Sequence, residues 1–146
     1  MISMDKQFED YIWHQLQAQF DVQRINGVRL LPSGKKRVRA VSEALLSKLS
    51  DKSTVSAGIY FATLMPDGIR LSVEGAQMVG EKAKKNVVEI DSDLAEKWLR
   101  GENIPIQPTF KGYVIVKDKS RNDFLGCGLA KRGTLINFFP KARRIT

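Results

Sequence analysis

The chain has 146 residues, 42% of them hydrophobic and 27% charged, with a net charge of +8 and a pI near 9.7. That composition excludes a disordered chain and leaves room for one domain or two small ones. The positive field favours polyanions, whether nucleic acid, anionic lipid or an acidic protein surface, and says nothing of fold.

The charge is spread evenly. Residues 1–85 carry 13 cations and 9 anions, and the remainder 11 and 7, so each part is +4 and neither is a charged tail. A single cysteine, Cys127, excludes an intrachain disulfide and a cysteine-based zinc site. Met1 to Lys6 has no apolar signal core, and no apolar run approaches membrane-spanning length. The sequence therefore predicts a soluble, cytoplasmic protein without metal, cofactor or membrane partner.

In chain order, residues 5–20 predict a helix with Phe8, Ile12, Leu16 and Phe20 recurring every four residues and Tyr11 and Trp13 beside them. His14 has no carboxylate or cysteine partner nearby and reads as a surface or packing residue. Gly27 to Val41 predicts a hairpin broken at Pro32-Ser33-Gly34. Its cations Lys35, Lys36, Arg37 and Arg39 form a basic cluster that either solvates a strand edge or meets phosphate. Ser42 to Leu49 reads as a short helix capped by Ser42, with Leu45, Leu46 and Leu49 inward. Two strands joined by Met65-Pro66-Asp67-Gly68 follow, then a helix over 72–85 ending in Lys82, Lys84 and Lys85. Asn86 suits a left-handed close, and a domain boundary is expected there.

Beyond it, Val87–Ile90 predicts a strand and Asp91–Arg100 a helix. Asp93 and Glu96 have capping-box spacing, and Gly101 is the stop. Asn103 to Pro108 reads as extended loop, Gly112–Lys117 as strand and 118–123 as a polar turn. In the closing stretch Phe124–Arg144, two apolar runs flank a loop of glycine and cations. That stretch holds Lys131, Arg132, Lys141, Arg143 and Arg144 and no acid. Phe138 and Phe139 alternate, one for the core and one facing out.

Enzyme motifs fail one by one. Gly128 and Gly133 have P-loop spacing, but Thr134 stands where the lysine belongs, and Lys131 replaces the third glycine of a dinucleotide fingerprint. Cys127 lies more than a hundred residues from the one histidine and sits between glycines, as a small buried strand residue would. No carboxylate pair stands out as acid and base.

The order of strand, short helix ending in Arg100-Gly101, proline loop, Gly112-Tyr-Val-Ile-Val and Phe124-Leu-Gly-Cys-Gly128 resembles a PUA domain over Val87 to Arg144. The ending Gly133-x-Leu135-x-Asn137-x-x-Pro140-Lys141-x-Arg143-Arg144 resembles the C-terminal domain of Fmu/Sun-type RNA cytosine-5 methyltransferases and related ribosome-biogenesis proteins. The first half is similar to the pre-PUA regions of archaeal proteins. The resemblance implies an α+β chain: a mixed pre-PUA-like domain over residues 1–85, then a PUA-like β pseudo-barrel over 86–146. It places RNA contacts on Lys97, Arg100, Gly101, Lys111, Lys131, Arg132, Lys141, Arg143 and Arg144. The chain has no room for the methyltransferase catalytic domain, so catalysis is not implied.

The expectation is a non-catalytic module docking on structured rRNA or tRNA, in ribosome biogenesis or RNA modification. A methyltransferase or a pre-ribosomal particle would be its partner. The alternative is an adaptor whose cations meet an acidic protein surface, with the aromatic first helix as anchor.

Overall fold

The computed structural model describes residues 2–48 and 58–146. Helix α1 (Ile2–Phe20) buries Ile12, Leu16 and Phe20 completely along one face, with Trp13 beside them, while Tyr11 and His14 stay exposed. Buried Glu9 accepts from the Trp13 indole, from Arg29 at 2.7 Å and from the Leu30 amide at 2.8 Å, which ties α1 to the first strand.

Strands β1 (Val28–Ser33), β2 (Arg37–Ser42), β3 (Ile59–Met65) and β4 (Gly68–Leu71) form an antiparallel meander. Gln19 of α1 covers the β4 edge. Its side chain donates to the Ile69 carbonyl at 2.8 Å and accepts the Ile69 amide at 2.9 Å. Between β2 and β3 lies α2 (Glu43–Leu46), capped by Ser42 as expected. It closes after one turn, where the Ser47 hydroxyl bonds back to the Ala44 carbonyl. So short a helix presents no continuous inward face: Leu45 is exposed and Leu46 half-buried, against the expected inward leucines, and Leu49 lies outside the described residues.

Helix α3 (Val73–Gly80) begins at Ser72, whose hydroxyl accepts the Gly75 amide. It ends five residues short of the expected Lys85. The amides of Lys84 and Lys85 turn away to the Phe20 carbonyl at the end of α1, and Asn86 takes a positive φ of 59°. Gly80 lets the Phe124 ring lie against the helix where any Cβ would collide, so α3 packs on both sheets.

The second sheet comprises β5 (Val87–Ile90), β6 (Ile104–Pro105), β7 (Gly112–Asp118), β8 (Asp123–Lys131) and β9 (Thr134–Asn137) in the order β5-β7-β8-β9-β6. Only β5–β7 is parallel. With α4 (Ser92–Leu99) across it, this is the α+β pseudo-barrel that the resemblance implied.

Three local expectations change. Asp91, not Asp93, caps α4 by accepting the Leu94 amide at 2.9 Å. Part of the expected loop at 103–108 pairs with β9 as β6. Gly128 to Lys131 belong to a nine-residue strand and not to a loop, because Gly128, Leu129 and Ala130 pair with β7 on one side and β9 on the other.

Trp98 lies at the centre of the second sheet's core, fully buried among Ile104, Val114, Val116, Leu135 and Phe139, and its indole donates to the Leu125 carbonyl. The other cluster joins Ile12, Leu16, Phe20, Phe61 and Ile69 to Tyr113, Ile115, Phe124 and Cys127. The change of sheet falls between β4 and β5, and this apolar cluster runs across it.

Candidate nucleic-acid interface

The candidate interface is built around the end of α4. Gly101, at φ +91°, closes a Schellman turn in which its amide reaches the Trp98 carbonyl and the Glu102 amide the Lys97 carbonyl. The chain after β9 is strapped onto this turn. Asn137 donates through its side-chain amide to the carbonyls of Trp98 at 2.8 Å and Glu102 at 2.9 Å. Its backbone amide meets the Asn103 side chain, and its side-chain oxygen accepts the Phe139 amide. Phe139 is thereby driven into the core, and Pro140 starts a 3₁₀ turn (Lys141–Arg143). The strap ends with the Ile145 amide on the Leu99 carbonyl.

Arg144 is the fixed cation of the strap. Its Nε–H donates to the Phe139 carbonyl at 3.1 Å, and its guanidinium lies directly over Gly101, in space that a Cβ would fill. Gly101 thus makes room for an arginine of the same chain, and the side chain it lacks leaves no opening for a sugar-phosphate backbone. Arg143 reaches back to Glu74 on the first turn of α3 at 2.6 Å. Burial works to raise the Glu74 carboxyl. The bond from Arg143, the helix amide and the Arg143 charge outweigh it and hold the carboxyl below its ordinary value. Arg100 pairs with Glu96 one turn earlier. Lys97 and Lys141 are exposed and make no ion pair among the described residues.

Lys111, Lys131 and Arg132 gather elsewhere. Arg132 and Gly133, at φ 53° and 82°, form the tight turn between β8 and β9. Pairing of Gly112 with Ala130 brings Lys111 next to Lys131 at the strand ends. All three cations are exposed and make no ion pair among the described residues. This group sits at one end of β9 and the α4 strap at the other, about 10 Å apart along three strand steps. The cations named from the sequence therefore fall into two groups, one near each end of β9.

The β1–β2 cluster also divides. Lys35 and Lys36 occupy the exposed turn, while Arg39 is half-buried and donates to the Pro32 carbonyl at 3.3 Å. Arg37 lies 5.1 Å over the Tyr60 ring. Beside it is Arg70, 4.6 Å over the Phe138 ring, a residue the sequence reading passed over. The signal was present: in Ile69-Arg70-Leu71 the arginine alternates with two buried residues, so it belongs on the sheet's outer face.

Cys127 is buried, and its thiol is pushed up to about 12, chiefly by desolvation, with a backbone bond and the Arg70 charge opposing. Burial therefore disfavours the thiolate there. Among the described residues no cluster of metal-ligating side chains occurs, and no helix is long and apolar enough to cross a membrane.

Residues 85–145 match the family model of the methyltransferase RsmF PUA domain. No functionally curated protein matches the chain. Among solved structures it is similar to the hypothetical protein PH0734.1 from the hyperthermophilic archaeon Pyrococcus horikoshii OT3, at 12% identity, with 90% of each chain covered and a TM-score of 0.54. That likeness concerns the fold alone.

Proposed function

We propose that this PUA-domain protein, similar over residues 85–145 to the domain carried by RsmF, is a non-catalytic protein that docks on structured rRNA or tRNA. PUA domains bind RNA, in RNA modification or ribosome biogenesis. The observation that carries the reading is the arrangement around β9. Exposed Lys131 and Arg132 stand at one end, exposed Lys141 at the other, and Arg144 is clamped beside it. Arg144, already clamped on the strap, loses little freedom on meeting phosphate. A-form RNA is recognised largely by shape and backbone, which suits such a surface.

A methyltransferase or a pre-ribosomal particle is the partner this role implies, and one buried, unpaired cysteine agrees with a cytoplasmic setting. The adaptor alternative has less support, because Ile12, Leu16 and Phe20 of its proposed anchor helix are spent in the core.

Titration of a structured RNA at several salt concentrations tests the proposal. If these four cations meet phosphate, the logarithmic salt slope is about −3 to −4. The triple variant Lys131→Ala, Arg132→Asn, Lys141→Ala is expected to flatten it by about 2. Asparagine tolerates the left-handed turn at 132, so the hairpin survives. An unchanged slope and affinity would sink the proposal.

A further inference from the structure

We propose that the groove between the two sheets receives one unpaired base of the bound RNA. The groove is a cavity of about 210 Å³ walled by Arg37, Tyr60, Arg70, Glu74, Gly126 and Phe138. That is below the roughly 300 Å³ at which small-molecule pockets usually begin, and it suits a single planar ring system.

Strand register lines up Arg37, Thr63 and Arg70 across β2, β3 and β4. From that row each arginine covers one aromatic ring, Tyr60 from β3 and Phe138 from the residue after β9. The rings are held in place: the Tyr60 hydroxyl is hydrogen-bonded to Thr63, and Phe138 lies 6.4 Å from Tyr113. Yet they remain 40% and 36% exposed, although both flanking sheets bury their other aromatics. Two fixed, partly exposed rings and the guanidinium groups that lie over them, gathered in one small groove, form a stacking platform bordered by phosphate-binding charge.

A nucleotide unites the two chemistries on offer, a flat ring and an attached phosphate. Phosphate alone fits less well, because the Glu74 carboxylate stands in the same wall and already holds Arg143. Paired bases are excluded by size, so the base that enters must be bulged, looped or terminal. Arg143 belongs to the same strap as Lys141 and Arg144, so the groove adjoins the α4 end of the basic surface.

This inference rests on the RNA-binding reading and adds a position for an unstacked base. Two hairpins matched in length test it, one with a single bulged 2-aminopurine and one with that base paired to uracil. The full chain is titrated with each by gel shift and fluorescence. The bulged hairpin is expected to bind about tenfold tighter, with its fluorescence quenched at saturation. Phe138→Ala and Arg70→Lys are expected to lose that preference while still binding the paired hairpin. Equal affinity for both hairpins, or unchanged fluorescence at saturation, overturns the groove proposal and leaves the RNA-binding reading standing. Preference retained in both variants overturns it too. Failure to bind either hairpin overturns the parent reading itself. Preferential binding of polyglutamate over both hairpins would assign the groove to an acidic protein instead.

Discussion

Two basic segments of this protein look alike as sequence and differ as structure. The closing strap around Lys141–Arg144 is held by Asn137, by the Phe139 carbonyl and by the end of α4. The β1–β2 turn carries Lys35 and Lys36 with no side-chain partner among the described residues. The difference is one of freedom: Arg144 is already fixed by the strap, whereas Lys35 and Lys36 are not. A tethered arginine meets phosphate with its entropy largely spent, whereas a free lysine gives up rotamers worth as much as a surface ion pair returns.

Breaking the strap at its anchor tests this most severely. Asn137→Ala leaves the Trp98 and Glu102 carbonyls without that donor and frees the Phe139 amide. It should cost about 1–3 kcal/mol in urea denaturation and weaken RNA binding although no cation is lost. Normal RNA affinity in a folded Asn137→Ala protein would erase the contrast between the two segments.

Arg144→Lys is gentler. It keeps the charge and removes the Nε–H bond to the Phe139 carbonyl, so a loss of about 1 kcal/mol in thermal or chemical melts is expected.

The Arg143–Glu74 pair gives a smaller effect with a definite pH signature. Glu74 in the folded protein lies below its ordinary 4.5, so the stability it adds is present above 4.5. That contribution disappears as pH falls through the lowered folded value. Both side chains are more than a third exposed, so solvent screening limits the difference between wild type and Glu74→Gln to about 1 kcal/mol or less at pH 7. The two melting curves should converge in acid.

The smallest effect belongs to the free turn. Lys35→Ala with Lys36→Ala should leave stability within about 0.5 kcal/mol and change RNA affinity by less than about threefold. A larger loss would show that unfixed cations serve equally well.

Most elements were legible because their signals are local. The Ile12–Leu16–Phe20 spacing, the Ser42 cap, the Met65–Gly68 turn and the Gly101 stop each lie within a few residues of the backbone they direct. Errors arose where distant groups competed for the same backbone. Phe20 claims the amides that would have extended α3, and β9 claims the segment read as loop. The same divide runs through the candidate site. Lys131, Arg132 and Lys141 were visible as charge, but nothing in the local pattern reveals that Arg143 is shared with Glu74 or that Arg144 covers Gly101.

The amino-acid order alone determined the α+β class, the PUA-like second half and the inventory of cations, since periodicity, turn chemistry and motif spacing are short-range properties. Which cations stand free, and that two arginines and two rings meet in one groove, only the tertiary structure decided. Arg37, Tyr60, Arg70 and Phe138 come from four strands or their ends, and pairing register together with sheet packing brings them within reach.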